Sequence, residues 1–387
     1  MLSFNRAVKG IRPEQLRHTA FSLSKQNMEV LNNIKQQVKV NLKLINKREV
    51  RSHEKRGLLD ETLKEGRYFD LKIVEEIKKE YEKTVVFEFQ DSIHIKLSFH
   101  FLSNSKKHNL RKYKNIMLSW LLLLKTYETP HCVESVEVDV YLTRFEKALH
   151  HSEPTPNNNG SDARTVVPLG GYNVNTGFTW RCGDYMKGKG KIVLYREEDF
   201  LKVFFHETMH LFNMEFHDTG KHTAREIIKL TSDVNLFESY CESWARLINV
   251  VYYSIFNPKK DMQTLIITEG LFSFFQARKV LDYYNLTLED IHNNKEKVTK
   301  QFIESSNVYS YYVVTAMLLT HPENYLTFCR TFNVNILKFD KNHVNEYINL
   351  LKSILKSKNM VIINEEVYGS SNTTRDTSLK MTYYDNN

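Results

Sequence analysis

The chain has 387 residues, of which 41% are hydrophobic and 26% are charged. This length predicts one large or two medium domains, and this composition excludes a wholly disordered chain. The longest apolar run, residues 117–124, is too short to span a bilayer, so no transmembrane segment is expected. The formal net charge of +8 arises mainly in residues 1–70, which hold 15 Lys and Arg against 8 Asp and Glu.

This basic N-terminal arm, residues 1–70, predicts either a solvated helical surface or a site for an acidic partner. The arm lacks the alternation of aromatic and basic residues that single-strand binders use, so we do not expect nucleic acid as the main ligand. Its first 13 residues are basic and free of acids, as in a mitochondrial presequence. An ordinary amphipathic helix explains them equally well.

Four cysteines, Cys132, Cys182, Cys241 and Cys329, lie far apart in the sequence and form no CxxC pair. This spacing argues against a disulfide scaffold and against a cysteine-type zinc finger, and it suits a reducing compartment. We therefore expect a soluble intracellular protein.

The first half of the chain changes from a helical to a strand-like pattern. Residues 1–83 are predicted to be helical, and apolar residues keep helical spacing up to Tyr81. Residues 85–90 and 94–101 predict a β-hairpin around Asp91 and Ser92. A helix is expected at 110–126, and 136–142 alternates apolar and acidic residues as a half-buried strand does.

The second half is predicted to be mostly helical. Residues 152–189 are rich in turn-forming residues and predict a long loop with a short strand piece at 178–182. A strand at 191–195 and a helix from about 198 follow, and then come apolar helical patterns at 226–256, 262–283, 308–320 and 344–356. The polar tail is expected to be disordered.

Strands followed by helices predict an α+β fold. Four regions are expected: a basic helical region at 1–83, a β-containing lobe at 84–222, a helical lobe at 223–360 and a disordered tail at 361–387.

The sequence HETMH at 206–210 is the strongest functional signal in the chain. On a helix it places His206 and His210 one turn apart on one face, where two imidazoles can bind one Zn²⁺. Glu207 would then lie beside the zinc-bound water and could take its proton. The alternative is two histidines on an ordinary amphipathic helix.

A third zinc ligand is expected on the next long helix, in FESYCESWAR at 237–246. Glu238 and Glu242 lie one turn apart there, in an otherwise apolar stretch. Two carboxylates in such surroundings are costly to bury unless they bind a cation or hydrogen-bond donors. A position on the solvated face of the helix is the alternative.

The HETMH helix and the glutamates after it resemble the gluzincin peptidases, a group that includes thermolysin-like enzymes. This resemblance covers residues 190–256, about a sixth of the chain. It implies a zincin-like β lobe with a small mixed sheet and active-site helix before the motif, and a helical lobe after it. It implies Glu238 as the zinc ligand and Glu242 as an acid that orients His206. The ExxA pattern of some members would select Glu242 as the ligand instead.

The segment 191–210 also loosely resembles uncharacterised HExxH proteins of large DNA viruses. A viral origin would place the protein in the host cytoplasm or in the virion.

Two other ligand schemes compete with the gluzincin scheme. A metzincin motif needs HExxHxxGxxH, but Asn213 stands at the glycine position and His217 lies one residue beyond the last histidine position. A deformylase-like scheme needs an upstream cysteine, and Cys182 is the candidate.

The oxyanion of a peptide-hydrolysis intermediate needs a hydrogen-bond donor near the metal. In gluzincins a Tyr or His of the helical lobe often supplies it. Tyr312, in a cluster of tyrosines, is our choice, and His222 is an alternative.

We expect a zinc metallopeptidase that hydrolyses a peptide or protein substrate by Glu207-assisted attack of zinc-bound water. Strand 191–195 could align the peptide if it forms a sheet edge, and loop 152–189 could cover the cleft. The alternative is a catalytically silent zincin-fold protein, structural or interacting, whose basic N-terminal arm binds an acidic partner.

Overall fold

The computed structural model of the chain describes residues 4–5, 21–56, 70–103, 108–150, 167–182, 187–216, 234–357, 363 and 376–386. It has an α+β fold built on one mixed six-stranded sheet. No helix within these ranges is long and apolar enough to cross a membrane.

The sheet has the strand order β1-β2-β3-β4-β6-β5. Its strands are β1 (Arg51–Lys55), β2 (Tyr81–Gln90), β3 (His94–Leu102), β4 (Ser135–Tyr141), β5 (Gly177–Trp180) and β6 (Lys189–Leu194). The pairs β3–β4 and β4–β6 are parallel, and the other three pairs are antiparallel. The sheet therefore ends in an antiparallel edge strand, β5, on the side of the HETMH motif.

Helices occupy most of the remaining described residues. They are α1 (Lys25–Lys47), α2 (Leu71–Glu80), α3 (Leu110–Tyr127), α4 (Gly171–Val174), α5 (Phe200–Leu211), α6 (Leu236–Phe256), α7 (Met262–Tyr283), α8 (Leu288–Asn293), α9 (Lys295–Gln301), α10 (Thr315–Thr320), α11 (Pro322–Phe332) and α12 (Val344–Lys356). A π-helical turn, Tyr309–Val314, leads into α10, and a 3₁₀ turn, Lys341–His343, precedes α12.

The two faces of the sheet pack against different partners. Alternate residues of the central strands, such as Leu97 and Val138, join the main core with α3, α5 and α6. The opposite face packs Tyr141 and Val193 against Ile77 of α2. Because side chains alternate across a strand, this arrangement buries both faces and positions α5 directly against the sheet.

Several predicted elements are confirmed. The hairpin of β2 and β3, the helix at α3, the strand at β4 and the order of β6 before α5 follow the local apolar pattern. The helices predicted at 262–283 and 344–356 are α7 and α12. Of the helix predicted at 226–256, residues 226–233 lie outside the described residues, and α6 begins at Leu236.

The prediction that residues 1–83 are entirely helical is wrong. Residues Arg51–Lys55 form β1, whose five side chains are all exposed, and β2 begins at Tyr81. The sequence RSHEK has no alternation of apolar and polar residues, so only its pairing with β2 makes it a strand.

The expectation of a disordered tail is wrong for the C-terminal segment, which we define as residues 376–386. Leu379, Met381, Thr382 and Asn386 are buried in it. The segment forms almost no regular structure, and its hydrogen-bond partners include side chains of α6 and α7. The polar composition of this segment therefore did not reveal that the segment is ordered. The rest of the predicted tail, apart from residue 363, lies outside the described residues.

The cysteine spacing also gave a wrong expectation. Cys132 and Cys182, 50 residues apart, form a disulfide, while Cys241 and Cys329 are free and buried. Sequence separation carries no information about the distance between two cysteines in the fold. Because disulfides are rare in reducing compartments, this crosslink removes the support that the cysteines gave to such a location.

Candidate metal centre

The HETMH motif lies on α5, and all twelve residues of this helix are buried. The helix is apolar around most of its circumference because it packs between the sheet and α6. His206 and His210, four residues apart, project from the same face toward α6.

The two imidazoles and Glu238 converge on one point. The Nε2 atoms of His206 and His210 lie 3.0 Å apart, and the Oε2 atom of Glu238 lies 3.1 Å and 3.2 Å from them. A tetrahedral zinc ion with bonds of about 2.0–2.1 Å separates its ligand atoms by roughly 3.3 Å. The three ligand atoms therefore have the chemistry and the spacing to hold one metal ion.

Glu242 has different partners. Lys202 Nζ lies 2.8 Å from each of its carboxylate oxygens, and Arg246 Nε donates to Oε1 at 2.8 Å. Its Oε2 lies 3.2 Å from Nδ1 of His206, without the alignment of a hydrogen bond. Glu242 therefore faces the side of His206 opposite to Glu238, where it can orient the ring.

Sequence reasoning missed Glu215, which contacts His210 in a similar way. Asn213 has a left-handed backbone (φ 50°) just after α5 and turns the chain back. This turn brings Glu215 Oε1 to 3.2 Å from Nδ1 of His210, and Arg181 Nε donates to the same oxygen at 3.0 Å. The sequence shows an acid five residues after the second histidine. It does not show the turn at Asn213 that brings this acid back to His210.

Burial and charge shift the pKa values of the site residues. Burial disfavours the charged form of His206, but contacts with Glu238 and Glu242 raise its pKa above the usual value. Burial likewise opposes a charged Glu238, but the two imidazoles lower its pKa. Burial raises the pKa of Glu207, which the nearby imidazoles only partly offset.

The pKa of His210 is raised well above its usual value, although burial opposes its charged form. Cys241 lies against its Nδ1, at 3.8 Å. Burial raises the pKa of this thiol to about 12, so the thiol is neutral at pH 7. The negative charges that raise the pKa of His210 are therefore the carboxylates of Glu238 and Glu215.

The centre opens into a pocket of about 250 Å³. One wall is the segment 174–181, which includes β5, and the opposite wall is formed by α5 and α6. Glu207 lines the pocket beside the two imidazoles, and Met381 of the C-terminal segment completes it. The loop 152–189 was predicted to cover the cleft, and residues 174–179 and 181 of it line the pocket. Its residues 152–166 and 183–186 lie outside the described residues.

Tyr312 does not lie in the pocket. It is fully buried, and its hydroxyl donates to the Leu379 carbonyl at 2.6 Å. Tyr311 lines the pocket instead, with its ring 5.7 Å from that of His206. The two tyrosines project in different directions because they are adjacent on a helical turn, and the sequence could not tell which one faces the pocket.

The remaining candidates are placed as follows. His217 and His222 lie outside the described residues. Cys182 is bound in the disulfide, so it is not free to act as the ligand of a deformylase-like scheme. The strand predicted at 191–195 is β6, which lies between β4 and β5 and is not a sheet edge.

Comparisons with protein-family models, with curated proteins and with solved structures found no match to this chain.

Proposed function

We propose that the protein is a zinc-dependent peptidase with a zincin-like active site. The observation that carries this proposal is the convergence of His206 Nε2, His210 Nε2 and Glu238 Oε2, within 3.0–3.2 Å of one another, beside Glu207 in an open pocket. A structural metal site is closed by four protein ligands, whereas three ligands and a pocket suit catalysis.

A zinc ion in this centre would supply Lewis acidity and lower the pKa of a water molecule bound to it. His206, His210 and Glu238 would hold the ion, and Glu242 and Glu215 would fix the orientation of the two rings.

Glu207 takes a proton from the attacking water and later gives it to the leaving amine. Tyr311 takes the role that the sequence suggested for Tyr312. Burial raises the pKa of its hydroxyl well above the usual value, so it keeps its proton and can donate a hydrogen bond to a developing oxyanion.

The pocket also suits an extended peptide. Gly177 and Thr179 of β5 line it, and no other described strand pairs with the outer side of β5. An incoming peptide could therefore add a strand to this edge and present its backbone to the metal centre. In this proposal the strand that aligns the peptide is β5 and not β6.

The test is the variant Glu207→Gln in zinc-loaded protein, assayed on a library of fluorogenic peptides. We expect turnover to fall at least about 100-fold, because the base is lost, while the zinc content stays stoichiometric. Glu296→Gln, a surface change on α9, is the matched control and should leave both unchanged. Peptide hydrolysis at the wild-type rate in Glu207→Gln would refute the mechanism.

The second candidate is a catalytically silent protein that binds an acidic partner through the N-terminal arm. The observation that favours it is the series Lys35, Lys39, Lys43 and Lys47 on α1, spaced four residues apart. Like charges at this spacing destabilise a helix. Burial, and then repulsion from Lys39, lower the pKa of Lys35. An acidic partner would relieve this repulsion.

Its test is the binding of polyglutamate at low and at high salt. We expect affinity that falls with salt and is weakened in Lys39→Gln/Lys43→Gln but not in Lys295→Gln/Lys300→Gln on α9. Equal binding by both variants would exclude α1 as the binding surface.

A further inference from the structure

The C-terminal segment crosses the beginning of the active-site helix. The backbone N–H of Met381 donates to Asp199 Oδ2 at 2.7 Å, and Asp199 immediately precedes α5. The thioether sulfur of Met381 lies 3.0 Å from Lys202 Nζ. Met381 is the residue of the segment that lines the pocket.

Hydrogen bonds hold the segment on both sides of Met381. Before it, Tyr312 donates its hydroxyl proton to the Leu379 carbonyl. After it, Glu269 of α7 accepts from the Thr382 hydroxyl and from the Tyr383 backbone N–H, both at 3.0 Å. The position of Met381 is thus fixed by long-range contacts.

Hydrogen bonds with Asn249 also hold the end of the segment. Asn249 of α6 donates to the Thr382 hydroxyl at 3.0 Å and to the Tyr384 carbonyl at 2.8 Å, and Asn386 donates to Asn249 Oδ1 at 2.7 Å. These hydrogen bonds hold the chain on both sides of Met381, and the Met381 sulfur lies against Lys202.

Met381 lines the pocket beside Lys202. Lys202, which it covers, lies one helical turn before His206 on the same face of α5. The other end of the pocket is formed by Arg181 and Phe237, next to His210. The length of the Met381 side chain therefore limits the space beside His206.

We propose that Met381 determines the size of the substrate side chain that the pocket accepts beside His206. The C-terminal segment is then part of the substrate-binding site. This inference rests on the proposed peptidase function.

The experiment measures ligand binding to the zinc-loaded full chain by calorimetry and needs no turnover. The probes are acetohydroxamic acid, which is small, and 3-phenylpropanohydroxamic acid, which carries a bulky ring. In Met381→Ala the affinity ratio of the large to the small probe should rise about tenfold, the gain from burying roughly two more methylene groups. In Met381→Phe the ratio should fall.

Met381→Leu keeps the volume and is the matched control, so its ratio should stay that of the wild type. An unchanged ratio in both Met381→Ala and Met381→Phe overturns the inference. So does an equal loss for both probes, because a purely structural role weakens all ligands alike. Absence of hydroxamate binding by the zinc-loaded wild type also overturns it. Failure of the peptidase function is distinct: it appears as absent turnover while the probe ratios still shift.

Discussion

The indole Nε1 of Trp120 on α3 donates a hydrogen bond of 2.7 Å to the hydroxyl of Thr208, the central residue of HETMH. Both residues are fully buried. Thr208 projects from α5 on the side away from the pocket, so this bond fixes that side of α5 to α3. The position of the HETMH motif thus depends on a contact between residues 88 positions apart.

Replacing Thr208 by Val should destabilise the protein without removing the metal. The change keeps the shape but leaves the Trp120 N–H buried without an acceptor, at a cost of about 1–3 kcal/mol. Urea unfolding measures the loss, and metal analysis should still find zinc. Thr208→Ser keeps the hydroxyl and should lose clearly less stability. Equal losses for Val and Ser would show that packing, and not the hydrogen bond, matters here.

The two glutamates of α6 should differ in their effect on zinc affinity. Glu238→Gln replaces a proposed ligand, so we expect stoichiometric zinc to be lost. Glu242→Gln should retain zinc with affinity lowered about 10–100-fold, because Glu242 only orients His206. Competition with a chelator measures both affinities. Retention of zinc by Glu238→Gln and its loss from Glu242→Gln would reverse the assignment.

Glu269 should make stability depend on pH. Burial raises the pKa of this carboxyl to about 7, against an ordinary 4.5, although Arg246 opposes the shift and Asp199 adds to it. Between these pH values the folded protein keeps a proton that the unfolded chain releases. The unfolding free energy therefore falls as pH rises from about 4.5 to about 7.

The variant Glu269→Gln cannot titrate, yet its amide oxygen can still accept from Thr382 and Tyr383. Its stability relative to the wild type should rise by up to about 3 kcal/mol between pH 4.5 and pH 8. Urea unfolding across this range gives the two profiles. Parallel profiles would show that Glu269 does not cause the pH dependence.

The Cys132–Cys182 disulfide should contribute to stability. It closes a loop with a sequence separation of 50 residues, for which the loss of unfolded-chain entropy gives at most about 4 kcal/mol. The variant Cys132→Ser/Cys182→Ser should unfold at lower urea concentration than the oxidised wild type. In the presence of reductant, the variant and the wild type should unfold at the same urea concentration. A difference that persists in reductant would indicate that the serines change the packing.

Several features followed from the sequence because they depend on neighbours along the chain. The spacing of His206 and His210 puts both rings on one helix face wherever the helix lies. The alternation of apolar and polar residues predicted the strand β4, and the helical spacing of apolar residues predicted α3. Both patterns also depend only on residues close in the sequence. Glu238 could be proposed only because it follows the motif in the next apolar helix.

The tertiary structure decided the features that depend on distant residues. The sequence left Glu238 and Glu242 as alternatives, and only the packing of α6 on α5 brings Glu238 to the two Nε2 atoms. The choice of Tyr311 over Tyr312 depends on the direction of a helical turn relative to α5. The position of β5 at the edge depends on the order of the strands in the sheet. The burial of Met381 depends on hydrogen bonds from α6 and α7 to the C-terminal segment. Local periodicity records which side of an element is apolar, but it does not record which other element covers that side.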